Sequence, residues 1–148
     1  MRHLIASTLT ALALATPALA QEVIDCDWRA QAPSIAEPWE ANSRTFANGH
    51  VRLALLDVIE PAFGGFHLLV LSPPRDELGF RQCRIVTFED SLGFAGVSFE
   101  ALKAGYDPAT GLSFTLPVRT HDGQGGYTAR TLYLTLDQSD GVITTRLE

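Results

Sequence analysis

Residues 131–136 read Thr-Leu-Tyr-Leu-Thr-Leu, and the leucine at every second position decides the fold class. A period of two places the leucines on one face of a β-strand and the hydroxyl-bearing side chains on the other. The turn dipeptide Asp140-Gly141 then leads into a second such run, residues 142–147. We therefore expect an antiparallel hairpin with one apolar face.

The same signals recur upstream. Residues 112–119 alternate apolar and polar side chains, and Pro117 within them favours an edge strand. Asn48-Gly49 lies between two apolar runs and predicts a hairpin, because both turn positions take positive φ. Residues 66–71 are apolar on both faces, which indicates a central buried strand.

These runs predict an all-β chain of seven or eight short strands, folded as a single antiparallel sandwich or small barrel. Residues 81–88 and 94–98 are two further runs, which we expect to pair with each other. One short helix is expected at 99–104, with Ser98 as its N-cap and Gly105 as its C-terminal glycine. A parallel α/β fold is disfavoured because it needs a helix between successive strands.

Residues 1–20 have the pattern of a cleavable secretory signal peptide. Arg2 precedes an apolar run, and the segment ends in Ala18-Leu19-Ala20, the small-residue pattern before a cleavage site. The apolar run is too short to span a bilayer, and no cysteine directly follows the cleavage site to carry a lipid. We predict an exported, soluble bacterial protein without a membrane anchor, either periplasmic or secreted.

The chain is acidic, with 17 Asp and Glu residues against 11 Lys and Arg residues and a net charge of −6. Binding to nucleic acid or to an anionic membrane depends on a basic surface, so neither partner is expected. The length fits a single domain. No phosphate-binding motif is present, and we expect no cofactor.

Cys26 and Cys83 are the only two cysteines. An even count in an exported chain predicts a disulfide between them. Closing so long a loop stabilises a fold by roughly 4 kcal/mol in the chain-entropy model. The alternative, a free reactive thiol, fits an oxidising compartment poorly.

The predicted disulfide joins the N-terminal segment, residues 21–42, to the β domain, residues 43–148, so that both form one domain. Prolines interrupt any helix in residues 21–42, and we expect this segment to be irregular. Trp28 and Trp39 are expected to anchor it.

Catalytic and metal-binding patterns are weak. His50, His67 and His121 are not spaced as metal ligands, and His67, in an apolar strand, is expected to be a hydrogen-bonded core residue. No serine lies in a nucleophile elbow. Six acidic residues of predicted turns could supply a carboxylate pair for glycoside hydrolysis: Asp57, Glu60, Asp76, Glu77, Glu89 and Asp90.

Residues 121–127, His-Asp-Gly-Gln-Gly-Gly-Tyr, are the most unusual stretch. The glycines predict a mobile loop, and such loops often carry binding function. The candidate partner-binding residues are His121, Asp122, Gln124, Tyr127 and Arg130. A plain flexible hairpin connection explains the same residues. A second candidate surface is the aromatic patch at 61–66, for which burial in the core is the alternative.

Gly126-Tyr127-Thr128-Ala129-Arg130, followed by an alternating strand, resembles the partner-binding segment of small periplasmic lysozyme inhibitors, which are disulfide-linked β-barrels. The resemblance covers about a dozen residues, including the start of that strand. The serine that precedes the glycine in that family is absent, and its later Phe-Trp-x-Lys-Gly motif has no counterpart here. The chain is therefore not assigned to that family.

Three functions remain open on the sequence alone. The first is a binding or interaction module for another protein or a component of the cell envelope, which uses residues 121–127. The second is a hydrolase of envelope polymers, with dispersed Asp, Glu and His residues that meet only in the fold. The third is a structural subunit that adds an edge strand to an assembly.

Overall fold

A computed structural model describes residues 21–59, 64–89 and 92–148. The expected signal peptide, residues 1–20, lies outside the described residues. So do Glu60 and Asp90 among the candidate carboxylates, and residues 61–63 of the aromatic patch.

Ten β-strands make up most of the described chain. They are β1 (Gln21–Asp25), β2 (Ser43–Phe46), β3 (Val51–Asp57), β4 (Phe66–Arg75), β5 (Arg81–Phe88), β6 (Gly96–Val97), β7 (Lys103–Asp107), β8 (Gly111–His121), β9 (Tyr127–Leu136) and β10 (Ile143–Leu147). The expected all-β antiparallel sandwich is confirmed, with ten strands rather than seven or eight. Strand β7 was not predicted, because its side chains are all exposed and show no alternation.

Two five-stranded antiparallel sheets form the sandwich. Sheet A has the order β1-β5-β4-β3-β2, and sheet B has the order β10-β9-β8-β6, with β7 also paired to β8. The predicted pairing of residues 81–88 with 94–98 is wrong. The chain leaves sheet A after β5 and enters sheet B at β6, so β5 pairs with β1 and β4, and β6 pairs with β8.

The main core lies between the sheets and takes alternate residues from the long strands. In β8 the even-numbered residues from Leu112 to Val118 are buried, and Leu132, Leu134 and Leu136 of β9 lie in the same cluster. From sheet A, β3, β4 and β5 contribute leucines, valines and Phe88. Burial of these aliphatic and aromatic side chains is the main favourable term in the stability of such a fold.

Asn48 and Gly49 form the turn between β2 and β3. Asn48 (φ 54°) and Gly49 (φ 85°) both adopt positive φ between β2 and β3, so the predicted hairpin is present. Pro117 lies within β8. The prediction of an edge strand is wrong, because β8 pairs with β9 on one side and with β6 and β7 on the other. Pro117 is tolerated there because it falls between the residues of β8 that pair with β7 and those that pair with β6.

Residues 21–42 and 99–104 differ from expectation. The N-terminal segment is not irregular, because it contains strand β1, a 3-10 turn at Ala32–Ser34 and a one-turn α-helix at Trp39–Asn42. The helix expected at 99–104 is a 3-10 turn at Phe99–Ala101, which ends where β7 begins. Ser98 makes no side-chain cap there, and the buried Phe99 ties the turn to the core.

The N-terminal segment covers the outer face of sheet A. Ala54, Leu56, Leu69 and Ile85 are buried on that face, and Cys26, Ala30 and Ile35 pack against them. The expected disulfide is present between Cys26 and Cys83, with their Cα atoms 5.4 Å apart. Trp28 and Trp39 do not anchor the segment, since they are 63% and 46% exposed.

Side chains join the edges of the two sheets. Gln21 Nε2 of β1 donates to the Thr145 carbonyl of β10 at 2.8 Å. At the other side of the sandwich, the Arg44 guanidinium of β2 donates to the Leu102 and Glu100 carbonyls, each at 3.2 Å. No helix among the described residues is long and apolar enough to cross a membrane.

Candidate functional site

The loop between β8 and β9 is organised by Asp122. Its Oδ1 accepts hydrogen bonds from the backbone N–H groups of Gln124 and Gly126, both at 2.8 Å. These donors hold the pKa of Asp122 below its usual range. The Asp122 N–H also donates to the Gly126 carbonyl at 3.1 Å. The glycine-rich segment is therefore a defined turn closed by its own aspartate.

His121 and Tyr127 meet at the base of this turn. They are directly opposed in the β8–β9 register, and their ring centroids are 5.0 Å apart. Because opposed residues of antiparallel strands share a face, both side chains point to the outer side of sheet B. Tyr127 is 59% exposed.

Arg119 completes this cluster and was not among the predicted residues. It lies two positions before His121 on β8 and therefore shares its face, and its guanidinium carbon lies 5.6 Å from the centroid of Tyr127. A Cβ atom added at Gly96 would come within 2.8 Å of Arg119 Nε. The Arg119 guanidinium can occupy this position because Gly96 has no side chain. The spacing of two from His121 was the signal that could have identified Arg119.

Arg130 and Gln124 do not join the cluster. Arg130 is opposed to Val118, whose side chain is buried in the core, so it points to the inner face of sheet B. Its Nε atom is buried and has no hydrogen-bond partner among residues 21–59, 64–89 and 92–148. Gln124 contributes a backbone N–H to the turn and exposes its side chain.

The outward side chains of sheet B form a broad polar surface, which we call the B face. In cross-strand order, one row runs Lys103, Thr115, Tyr133 and Arg146, and the next runs Ser113, Thr135 and Thr144. The Arg146 guanidinium lies 4.2 Å from the Tyr133 ring centroid. The B face therefore carries two tyrosine–arginine pairs, separated by hydroxyl groups.

His67 lies on the other sheet and is sealed. It is 1% exposed on the outer face of sheet A, and its Nδ1 is 2.9 Å from Thr87 Oγ1. Burial is the main cause that lowers the pKa of His67 from 6.5 to about 4, and the positive charge of nearby Arg29 contributes to the decrease. The ring is therefore neutral at pH 7, as expected of a hydrogen-bonded core histidine.

Two of the candidate carboxylates, Asp76 and Asp57, organise backbone turns at opposite ends of sheet A. Asp76 Oδ1 accepts from the Leu78 and Phe80 N–H groups and shapes the β4–β5 turn. Asp57 Oδ1 accepts from Ile59 N–H beyond the end of β3, at the opposite end of sheet A. Within residues 21–59, 64–89 and 92–148, no group of three His, Cys, Asp or Glu side chains is placed to hold a metal ion.

Comparison with known proteins gives no relative: no family model, no curated protein and no solved structure matches the chain. The likeness of residues 126–130 to the lysozyme-inhibitor segment thus stays confined to those residues.

Proposed function

We propose that this chain is an exported binding module that contacts a protein or another component of the cell envelope through the hairpin end of the B face. The observation that carries the proposal is the exposed ring of Tyr127, which lies between Arg119 and His121 beside a turn that Asp122 organises. Tyrosine and arginine are enriched at binding hot spots. A preordered turn loses little further conformational freedom when it binds.

Export rests on two features that agree. The leader ends in the small-residue pattern before Gln21, and the disulfide between Cys26 and Cys83 is of the kind that persists in oxidising compartments. N-terminal sequencing of the protein recovered from the periplasm or culture medium is expected to begin at Gln21. Recovery only from the cytoplasm, with Met1 retained, would overturn the export proposal.

The two other functions have less support. A hydrolase needs an accessible acid or base, whereas His67, whose pKa is lowered, is buried against Thr87. A subunit that adds an edge strand could use β7, which pairs only with β8. Lys103 lies on that strand, and lysine on an edge strand opposes pairing with another chain.

Affinity capture from envelope extract tests the binding surface. The purified protein is compared with Tyr127→Ser, with a variant whose residues 121–127 are replaced by a glycine-serine loop, and with Tyr106→Ser as control. Tyr106 is a matched control because it is 67% exposed and lies on β7, away from the hairpin. We expect a component retained by wild type and Tyr106→Ser and lost from the other two. Equal capture by all four proteins would refute the proposed surface.

A further inference from the structure

We propose that Gln21 is a modification site that the fold protects: the folded protein keeps an uncyclised N-terminal glutamine, whereas the unfolded chain converts it to pyroglutamate. The proposal rests on the export included in the proposed function, because removal of the leader after Ala20 makes Gln21 the first residue. It follows from the place of Gln21 in β1 and from the hydrogen bond of its side chain to β10.

Cyclisation of an N-terminal glutamine is an intramolecular reaction. The uncharged α-amine attacks the side-chain carbonyl carbon, Cδ, and a bond forms between the α-nitrogen and Cδ. The bond between Cδ and Nε2 breaks, and Nε2 leaves as ammonia with the proton that the α-nitrogen releases. The product is a lactam, which is lighter by the mass of one ammonia and has lost the charged terminus. Because no cofactor or second substrate is needed, the conformation of the glutamine determines the rate at a given pH and temperature.

The leaving group of this reaction is held in a contact of the folded protein. Gln21 Nε2 donates a hydrogen bond to the Thr145 carbonyl at 2.8 Å, in a partly buried position. Ring closure must break this bond, because Nε2 is the nitrogen that leaves. The lactam has no side-chain N–H with which to form it again, so the Thr145 carbonyl would lose this donor. Cyclisation therefore costs the folded protein a contact that the unfolded chain does not have.

The main chain of Gln21 is held as well. Gln21 is the first residue of β1 and is opposed to Phe88 in the antiparallel register with β5. Val23 of the same strand packs against the main core. For ring closure the amide has to leave β10 and turn back onto the α-nitrogen, so the reactive form has a locally opened start of β1. Breaking one net hydrogen bond lowers the population of that form about tenfold.

The protected amide joins the edges of the two sheets. β1 and β10 are edge strands of sheets A and B, and the bond from Gln21 to Thr145 connects them. Pyroglutamate formed before folding cannot make this contact. The fraction of cyclised protein therefore records how long the chain stays unfolded after the leader is removed.

Mass spectrometry of the N-terminal peptide tests the proposal. The protein is prepared with Gln21 as its first residue by removal of a fusion tag, with its disulfide formed. It is then incubated at neutral pH, either folded or in urea above its unfolding midpoint. We expect cyclisation to be about tenfold slower in the folded protein than in urea. Equal rates in the two samples would overturn the proposal.

A variant with one additional glutamine before Gln21 is the matched control. Its terminal glutamine has the same chemistry but is not the residue that reaches the Thr145 carbonyl. We expect it to cyclise at the same rate in the folded protein and in urea, which also shows that urea itself does not change the reaction. Slow cyclisation of the added glutamine in the folded variant would contradict the proposal, because the protection would not come from the contacts of Gln21.

The export and the protection fail in distinguishable ways. If the protein recovered from the producing cells does not begin at Gln21, the proposed export is wrong. The rates measured on the protein released from the tag decide on the protection by themselves.

Discussion

The outer faces of the two sheets are opposites. On sheet A the outward side chains of the central strands are mostly apolar, and the N-terminal segment, joined to the sheet by the disulfide between Cys26 and Cys83, covers them. On sheet B the outward side chains are mostly hydroxyl-bearing or charged, and Tyr127 is exposed. A face that needs a cover contributes to stability, whereas a polar face left open is available for binding. The variants below test whether stability and binding separate in this way.

The largest expected effect is the loss of stability on removal of the disulfide that joins the N-terminal segment to sheet A. Replacement of both cysteines, Cys26→Ser with Cys83→Ser, should lower the free energy of unfolding by about 4 kcal/mol, because the unfolded chain regains the freedom of a long loop. Urea denaturation followed by circular dichroism measures it. A change in the free energy of unfolding below about 1 kcal/mol would show that the N-terminal segment stays packed on sheet A without the disulfide.

The next largest effect is the difference in stability loss between a variant at a buried residue of sheet A and a variant at an exposed residue of the B face. Ile85→Ala removes a fully buried side chain beneath the cover and is expected to cost about 3 kcal/mol. Thr144→Ala, on the B face, should change stability by no more than about 0.5 kcal/mol. Thermal and urea denaturation of the two variants provide the comparison. Equal losses would remove the distinction between the two faces.

A pH dependence of stability should arise from His67. Its folded pKa of about 4 lies below the unfolded value of 6.5, so the unfolded chain binds the additional proton between these pH values. The contribution of His67 to stability is therefore present above pH 6.5, and about 3 kcal/mol of it is lost as the pH falls through 4. Denaturation at each pH should show a smaller fall for His67→Asn than for the wild-type protein. A wild-type profile from His67→Asn would contradict the assignment.

The smallest expected effect concerns the turn on the B face. Asp122→Ala removes the acceptor of the Gln124 and Gly126 N–H groups and should leave global unfolding nearly unchanged. Hydrogen exchange of those two amides is expected to accelerate, and capture of the envelope component should weaken. Asp137→Ala is a matched control, since Asp137 similarly caps a turn at the other end of β9. Weaker capture by both variants would show that the effect is not specific to the hairpin.

The features of the fold that could be predicted from the sequence are those set by local residue patterns or by the number of cysteines. The alternation of apolar and polar residues located β8 and β9, and the presence of only two cysteines in a chain expected to be exported predicted the disulfide. The first signal is local in sequence, and the second follows from the cysteine count. The strands that pair with β5 could not be predicted from the sequence, because the sheet that a strand joins depends on the packing of elements distant in the chain. The spacing of two between Arg119 and His121 was visible in the sequence, but the contacts of Arg119 with Gly96 and Tyr127 were not, because these residues are neighbours only across strands.

Site-specific photo-crosslinking in the producing cells tests most directly that the B face is the binding surface. A photoreactive amino acid replaces Ala129, between the two tyrosines on the B face, or Gln31, exposed on the cover of sheet A. We expect a cross-linked adduct from position 129 that disappears when Tyr127→Ser is added, and no adduct from position 31. An adduct from position 31 with none from position 129 would contradict it.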